Sequence, residues 1–199
     1  MEVNLTSSRA DPNFTEPRLS PSLLARRIIC PAHIPAPFDR KSRLRFLGLH
    51  AYAMLQVIKR HIKSGFRLLS LEKYVNGSRI DLEFLRPDGG LRINEVKSKR
   101  ILGEVDRIQA ALYSDGSRSQ EVVVSSRTTD ILLPSEYVEE VHRRAEATRI
   151  FLLDHPDLAA NSFNPNADIC RTCANNRCPF LPKGRTDRGQ TTQPRGGGD

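Results

Sequence analysis

Two hydrophobic periods alternate along this chain, and the switches between them mark its elements. From Arg43 to about Ile62 the apolar residues Leu44, Leu47, Ala51, Met54, Leu55, Ile58 and Ile62 recur at three- and four-residue spacing. That pattern predicts an amphipathic helix with this stripe buried, closed by Gly65. Arg67–Val75 (RLLSLEKYV) then reads as a strand ending at the Asn76-Gly77 turn. RIDLEFL, a PDGG turn and LRINEVKS follow as a β-hairpin. A helix is predicted from about Glu104 to Ser114, an apolar strand over Glu121–Ser126, and a helix from Pro134 to about Leu153. This order of helix, three strands, helix, strand and helix predicts one α/β domain around a mixed central sheet.

The ends differ from the middle. Residues 1–20 are polar with scattered Pro, Ser and Thr and read as a flexible arm. Residues 186–199 (TDRGQTTQPRGGGD) hold no apolar anchor and read as a disordered tail. The domain is expected over 21–185, and 199 residues suit one such unit. Apolar residues make up 38 % and the mean hydropathy is −0.45. No apolar run approaches the roughly 18 residues needed to cross a bilayer. The first residues lack the basic and apolar regions of a secretory signal. A soluble protein of the cytoplasm, with no membrane partner, is therefore expected.

Charge narrows the partners. The net charge is +8, and Leu24–Lys63 holds nine Lys or Arg against one acid, Asp39. A solvated helix face is one explanation, and binding to nucleic acid phosphate is the better one.

The hairpin carries the first candidate chemistry. Strand alternation puts Glu95 and Lys97 on one face with Leu91 and Ile93, and Asp81 and Glu83 opposite in face to Ile80, Leu82 and Phe84. A five-residue connection, Arg86 to Gly90, sets Leu85 across from Leu91, Asp81 across from Glu95, and Ile80 across from Val96. A four-residue connection would separate the carboxylates and match the apolar residues less well. In the first register two carboxylates and an ammonium share one end of the sheet. Two like charges there repel unless a cation lies between them, and oxygen ligands suit Mg²⁺ or Mn²⁺. A surface cluster of little energetic weight is the alternative, because E-x-K is common. His50, at the margin of the helical stripe, becomes a further ligand candidate only beside such a pair.

The four cysteines carry the second. Cys170, Cys173 and Cys178 form C-x₂-C-x₄-C, and Cys30 lies 140 residues upstream of Cys170. One short loop can present three thiolates to one metal centre, with Cys30 completing it and clasping the two ends of the fold. Disulfides compete less well in an intracellular protein. Four thiolates suit Zn²⁺ or an iron–sulfur cluster, and spacing does not choose between them.

Taken together these residues resemble a known family. His50 on an early helix, Asp81 in GSRID, the EVK of Glu95–Lys97, and QAALY with Gln109 and Tyr113 resemble the RecB-like branch of the PD-(D/E)XK nucleases. One Cys before this core and C-x₂-C-x₄-C after it resemble the iron–sulfur CRISPR-associated exonucleases, the fourth Cas family. The resemblance covers about Ser20 to Arg185 and implies a restriction-endonuclease-like fold, with an iron–sulfur element joining its N- and C-terminal parts. It further implies a divalent metal (Mg or Mn) on His50, Asp81, Glu95 and the Val96 backbone carbonyl, with Lys97 positioning the attacking water. Gln109 and Tyr113 would support the site and contact DNA. Cys30, Cys170, Cys173 and Cys178 would hold a [4Fe–4S] cluster, with Zn as the alternative.

The function expected is a metal-dependent DNA exonuclease acting on single-stranded ends, trimming prespacers for the CRISPR integrase. Arg26, Arg27, Arg43, Lys99 and Arg100 are the candidate DNA contacts, with solvated charge as the alternative for Lys99 and Arg100. Two rivals stand beside this reading: a non-catalytic DNA-binding or assembly subunit, and an iron–sulfur nuclease of recombination or repair.

Overall fold

The protein is described from a computed structural model covering residues 19–37, 39–75, 78–115, 120–170 and 172–180. Most of the expected arm and all of the expected tail lie outside the described residues. Helix α1 spans Pro21–Ile29 and α2 spans Arg40–Lys63. Strands β1 (Arg67–Val75), β2 (Ser78–Leu85) and β3 (Leu91–Val96) precede α3 (Glu104–Ala111). Strands β4 (Gln120–Ser125) and β5 (Asp130–Leu133) precede α4 (Ser135–Asp154), α5 (Pro156–Asn161) and α6 (Ala167–Cys170).

The local chemistry accounts for these boundaries. Ser20 caps α1 ahead of Pro21, and Asp39 caps α2 by accepting the Ser42 N–H at 2.8 Å. The chain leaves α2 through Gly65 at φ 83°, a left-handed conformation that glycine adopts without strain. Gly89, at φ 88°, does the same for the PDGG turn, which the Arg86 N–H closes onto the Gly90 carbonyl at 2.8 Å.

The five strands form one mixed sheet in the order β1-β2-β3-β4-β5. Only the β3–β4 pair is parallel, and α3 supplies its crossover. Leu85 pairs with Leu91, as the five-residue connection requires. One face of the sheet packs Ile93, Val122 and Val124 against α1, α3 and α4 residues, including Ala25, Ile108 and Val141. The other packs Leu82, Phe84 and Val96 against Ala53, Met54 and Val57 of α2.

Helices α1, α5 and α6 and strand β5 were not anticipated, and two expectations need correction. Ile80 joins the α1–α3 core instead of sharing a cluster with Leu82 and Phe84. The apolar stripe assigned to α2 is largely open: Leu44 is 62 % exposed, Leu55 54 % and Ile62 53 %. The physical reason is which face meets the sheet: α2 buries Ala53, Met54, Val57 and His61, so Leu55 and Ile62 lie off that face and Leu44 lies in turns that precede it.

His61 fixes the C-terminal half of α2. Its Nδ1–H donates to the Val57 carbonyl at 3.0 Å, its ring stacks on Phe84 at 4.7 Å, and Nε2 faces the Arg92 guanidinium at 3.3 Å. Burial, aided by the Arg92 and Arg60 charges, pushes its pKa below the usual 6.5. The unfolded chain therefore takes up a proton that the folded protein refuses, so stability falls as pH drops below about 6.5. Replacing His61 with Phe should flatten the dependence of Tm on pH between 7 and 5. Parallel melting curves for both proteins across that range would contradict this.

Candidate active site

At the end of the hairpin β2 and β3 part company. Their ladder ends at the Leu82–Asn94 pair. Beyond it the Val96 N–H goes to Oδ2 of Asp81 at 2.7 Å, so a side chain takes the place of a backbone partner. Neither the Asp81–Glu95 nor the Ile80–Val96 pair of the expected register is therefore part of the ladder. On its other side β3 stays attached to β4, with the Lys97 N–H donating to the Ser125 carbonyl at 2.7 Å. In an extended strand the N–H and C=O of one residue point to the same side. The Val96 carbonyl thus lies toward the gap that Asp81 occupies.

The sequence-predicted residues meet around this gap. His50, from α2, places Nε2 3.2 Å from Oδ1 of Asp81. Lys97 Nζ donates to Glu95 at 2.6 Å and to the Gln109 Oε1 at 2.8 Å, and the Gln109 amide reaches the Tyr113 hydroxyl at 3.2 Å. Tyr113 lies in the turn just past α3, yet keeps its i,i+4 relation to Gln109. A chain of polar contacts therefore runs from Glu95 through Lys97 and Gln109 to Tyr113.

The electrostatics are uneven. Asp81 and Glu95 are 6 % and 5 % exposed. Burial first, and the Asp81 charge second, push the Glu95 carboxyl up to about 7 against the opposing pull of Lys97. Its Oε2 is buried without a hydrogen-bond partner among the described residues. The hydrogen bond to Asp81 raises the His50 pKa against the effect of burial, and its Nδ1 is likewise buried without a partner among the described residues. Burial and the Glu95 charge raise the Tyr113 pKa, so its hydroxyl stays protonated and acts as a neutral hydrogen-bonding group.

These donors fit a hard divalent cation. Two carboxylates, one with an unpartnered buried oxygen, a nearby imidazole and a backbone carbonyl form the oxygen-rich set that Mg²⁺ and Mn²⁺ take. They are not preassembled as a cage: among the described residues no three His, Cys, Asp or Glu stand grouped for a metal. Protein groups, Lys97 and His50, partner the carboxylates.

The second cluster lies just past the C-terminal end of α1, which Cys30 caps. Residues 34–36 and 172–174 run side by side, with the Ala36 N–H donating to Thr172 O at 2.9 Å and the Ala174 N–H to Ile34 O at 2.7 Å. This backbone pairing joins the two ends of the domain, whereas the expected cysteine clasp is not formed as a metal-holding group among the described residues. Cys30, Cys170, Cys173 and Cys178 all line one small cavity there, and none is in a disulfide. Backbone N–H groups of Asn164 and Asn166 point at the Cys30 and Cys170 sulfurs, each at 3.4 Å.

The candidate DNA contacts are scattered. Arg43 is exposed on the first turns of α2, on the same side as His50 two turns later. Lys99 is tied to Asp106 at 2.7 Å, and Arg100 is exposed in the bend after β3. Arg26 donates to the Ser22 carbonyl at 2.9 Å, and Arg27 to the Pro31 carbonyl beside Cys30. Both are half-buried, and Arg27 belongs to the cysteine end instead of the carboxylate site.

Sequence reasoning missed Asp106. It is buried, accepts the Gly103 N–H at 2.7 Å to start α3, and lies 4.0 Å from Lys97. An acid three residues after a helix N-cap was the available signal. Known protein families, curated proteins and solved structures were compared with the chain, and none matches.

Proposed function

We propose that the protein is a Mg²⁺- or Mn²⁺-dependent DNA nuclease acting on single-stranded ends. The observation that carries this reading is the parted end of β2 and β3, where Asp81 holds the Val96 N–H and Glu95 keeps a buried oxygen without a partner among the described residues. Asp81, Glu95, His50 and the Val96 carbonyl would hold the metal. When bound, such an ion lowers the pKa of a water and stabilises charge on a phosphate oxygen.

The chain's own residues supply the remaining chemistry. Lys97, fixed between Glu95 and Gln109, orients a water nucleophile and can donate to a phosphate oxygen. Gln109 and Tyr113 keep the ammonium in place. The exposed basic turns of α2, with Arg40, Lys41, Arg43 and Arg45, provide positive charge for the backbone of the substrate. The four cysteines hold a [4Fe–4S] cluster, or Zn²⁺ in its place. The assignment to prespacer trimming beside a CRISPR integrase rests on the resemblance in the cysteine spacing and the order of motifs.

End-labelled single- and double-stranded oligonucleotides, incubated with Mn²⁺, Mg²⁺ or a chelator, test the proposal. Metal-dependent shortening of the single strands is expected. Salt-sensitive binding without cleavage in either metal would instead favour the non-catalytic DNA-binding reading, which the same basic α2 turns would serve.

A further inference from the structure

His33 stands at the cysteine end, three residues after Cys30, whose carbonyl accepts its backbone N–H at 2.9 Å. The side chain is completely buried, and neither ring nitrogen has a hydrogen-bond partner among the described residues. The backbone of Ile169 lies near the ring and slightly favours its charged form, without completing a hydrogen bond. A buried imidazole in this state has given up water at both nitrogens with nothing in exchange, which native interiors rarely tolerate.

The ring lines the same cavity as all four cysteines. The other polar side chains there are already engaged: the Asn175 amide donates to Ala32 O at 2.6 Å, and that of Asn164 to Ile29 O at 2.8 Å. Cys30 and Cys170 receive backbone N–H groups, and no donor reaches Cys173 or Cys178 among the described residues. Metal-bound thiolates carry concentrated negative charge, and N–H groups directed at sulfur hold and tune such centres.

We infer that His33 donates a ring N–H to a sulfur of the four-cysteine centre and so positions and retains the metal group. The inference rests on reading Cys30, Cys170, Cys173 and Cys178 as one metal-binding set. It does not depend on whether iron–sulfur or zinc fills that set, because the acceptor is sulfur in both.

The test uses the full chain purified without oxygen, as wild type, His33→Leu and His33→Gln. Loss of metal to excess chelator is timed, by visible absorbance for iron or by a coloured complex for zinc. His33→Leu should lose its metal about ten-fold faster, the lower end of the usual effect of removing an outer hydrogen bond to a ligand. His33→Gln, which keeps an N–H donor, should fall close to wild type. If iron is present, His33→Leu should also shift the midpoint potential to more negative values, because the reduced centre loses a stabilising donor. Equal rates for all three proteins would overturn the inference. So would a Gln variant as leaky as Leu, since that would make the ring a packing element or a direct ligand. Wild-type protein carrying neither iron nor zinc would overturn the cysteine reading itself, a failure distinct from that of His33 alone.

Discussion

Glu95→Gln is expected to raise the thermal stability of the protein in chelator at pH 8 while removing the proposed metal-dependent cleavage of DNA. Glu95 is buried with one oxygen unpartnered among the described residues, and its carboxyl is pushed up to about 7 by burial and by Asp81. A carboxyl raised above its unfolded value of 4.5 gives its full stability below that value, and that contribution is lost as pH rises through 7. At pH 8 the folded protein therefore carries a buried charge that Lys97 only partly offsets. Gln keeps the shape and an acceptor for Lys97 without the charge. The gain should be about 1–3 kcal/mol, or roughly 3–9 °C in a chain of this size. It should shrink toward pH 5, where Glu95 is itself protonated. A variant that melts lower than wild type at pH 8 would show that the Glu95–Lys97 pair is a structural ion pair.

The second large effect concerns the cysteines. Cys178→Ser should lower Tm by roughly 6–12 °C, corresponding to about 3 kcal/mol, when compared with metal-loaded wild type. A metal on the proposed cysteine set would close a loop of 140 residues between Cys30 and Cys170, and cross-links over such lengths remove much of the freedom of the unfolded chain. Wild type stripped of metal should melt with the variant, which separates metal binding from packing of the side chain. Equal Tm for Cys178→Ser and metal-loaded wild type would remove the clasp from the explanation of stability.

The hairpin and its carboxylates were legible in the sequence because two short-range signals agreed there. Strand alternation set the faces, and a five-residue turn with two glycines set the register, which the Leu85–Leu91 pair shows. The parting of the strands was not legible. It depends on one side-chain hydrogen bond, Asp81 to Val96, that no periodicity encodes. The α2 stripe failed for a different reason. A pattern shows which face of a helix is apolar, and only the tertiary layer below decides whether that face is covered.

Some of what was missed had a signal. Ser20-Pro21 is a helix start, and Gly103 with Asp106 is half of a capping box, so α1 and Asp106 were within reach. Strand β5 has four residues and little alternation, and it gains its identity from pairing with β4. His33 is a single histidine in a loop, and its burial against the cysteines follows only from the folded chain.

Single-turnover cleavage of an end-labelled single-stranded oligonucleotide in Mn²⁺, with wild type beside Asp81→Asn, bears most directly on the proposed function. Wild type should shorten the strand. Asp81→Asn should be slower by at least about 10²–10³-fold, the scale for losing a central electrostatic contact to a reacting group, with an unchanged circular dichroism spectrum. Undiminished cleavage by Asp81→Asn, or no cleavage by either protein, would contradict a nuclease centred on Asp81 and Glu95.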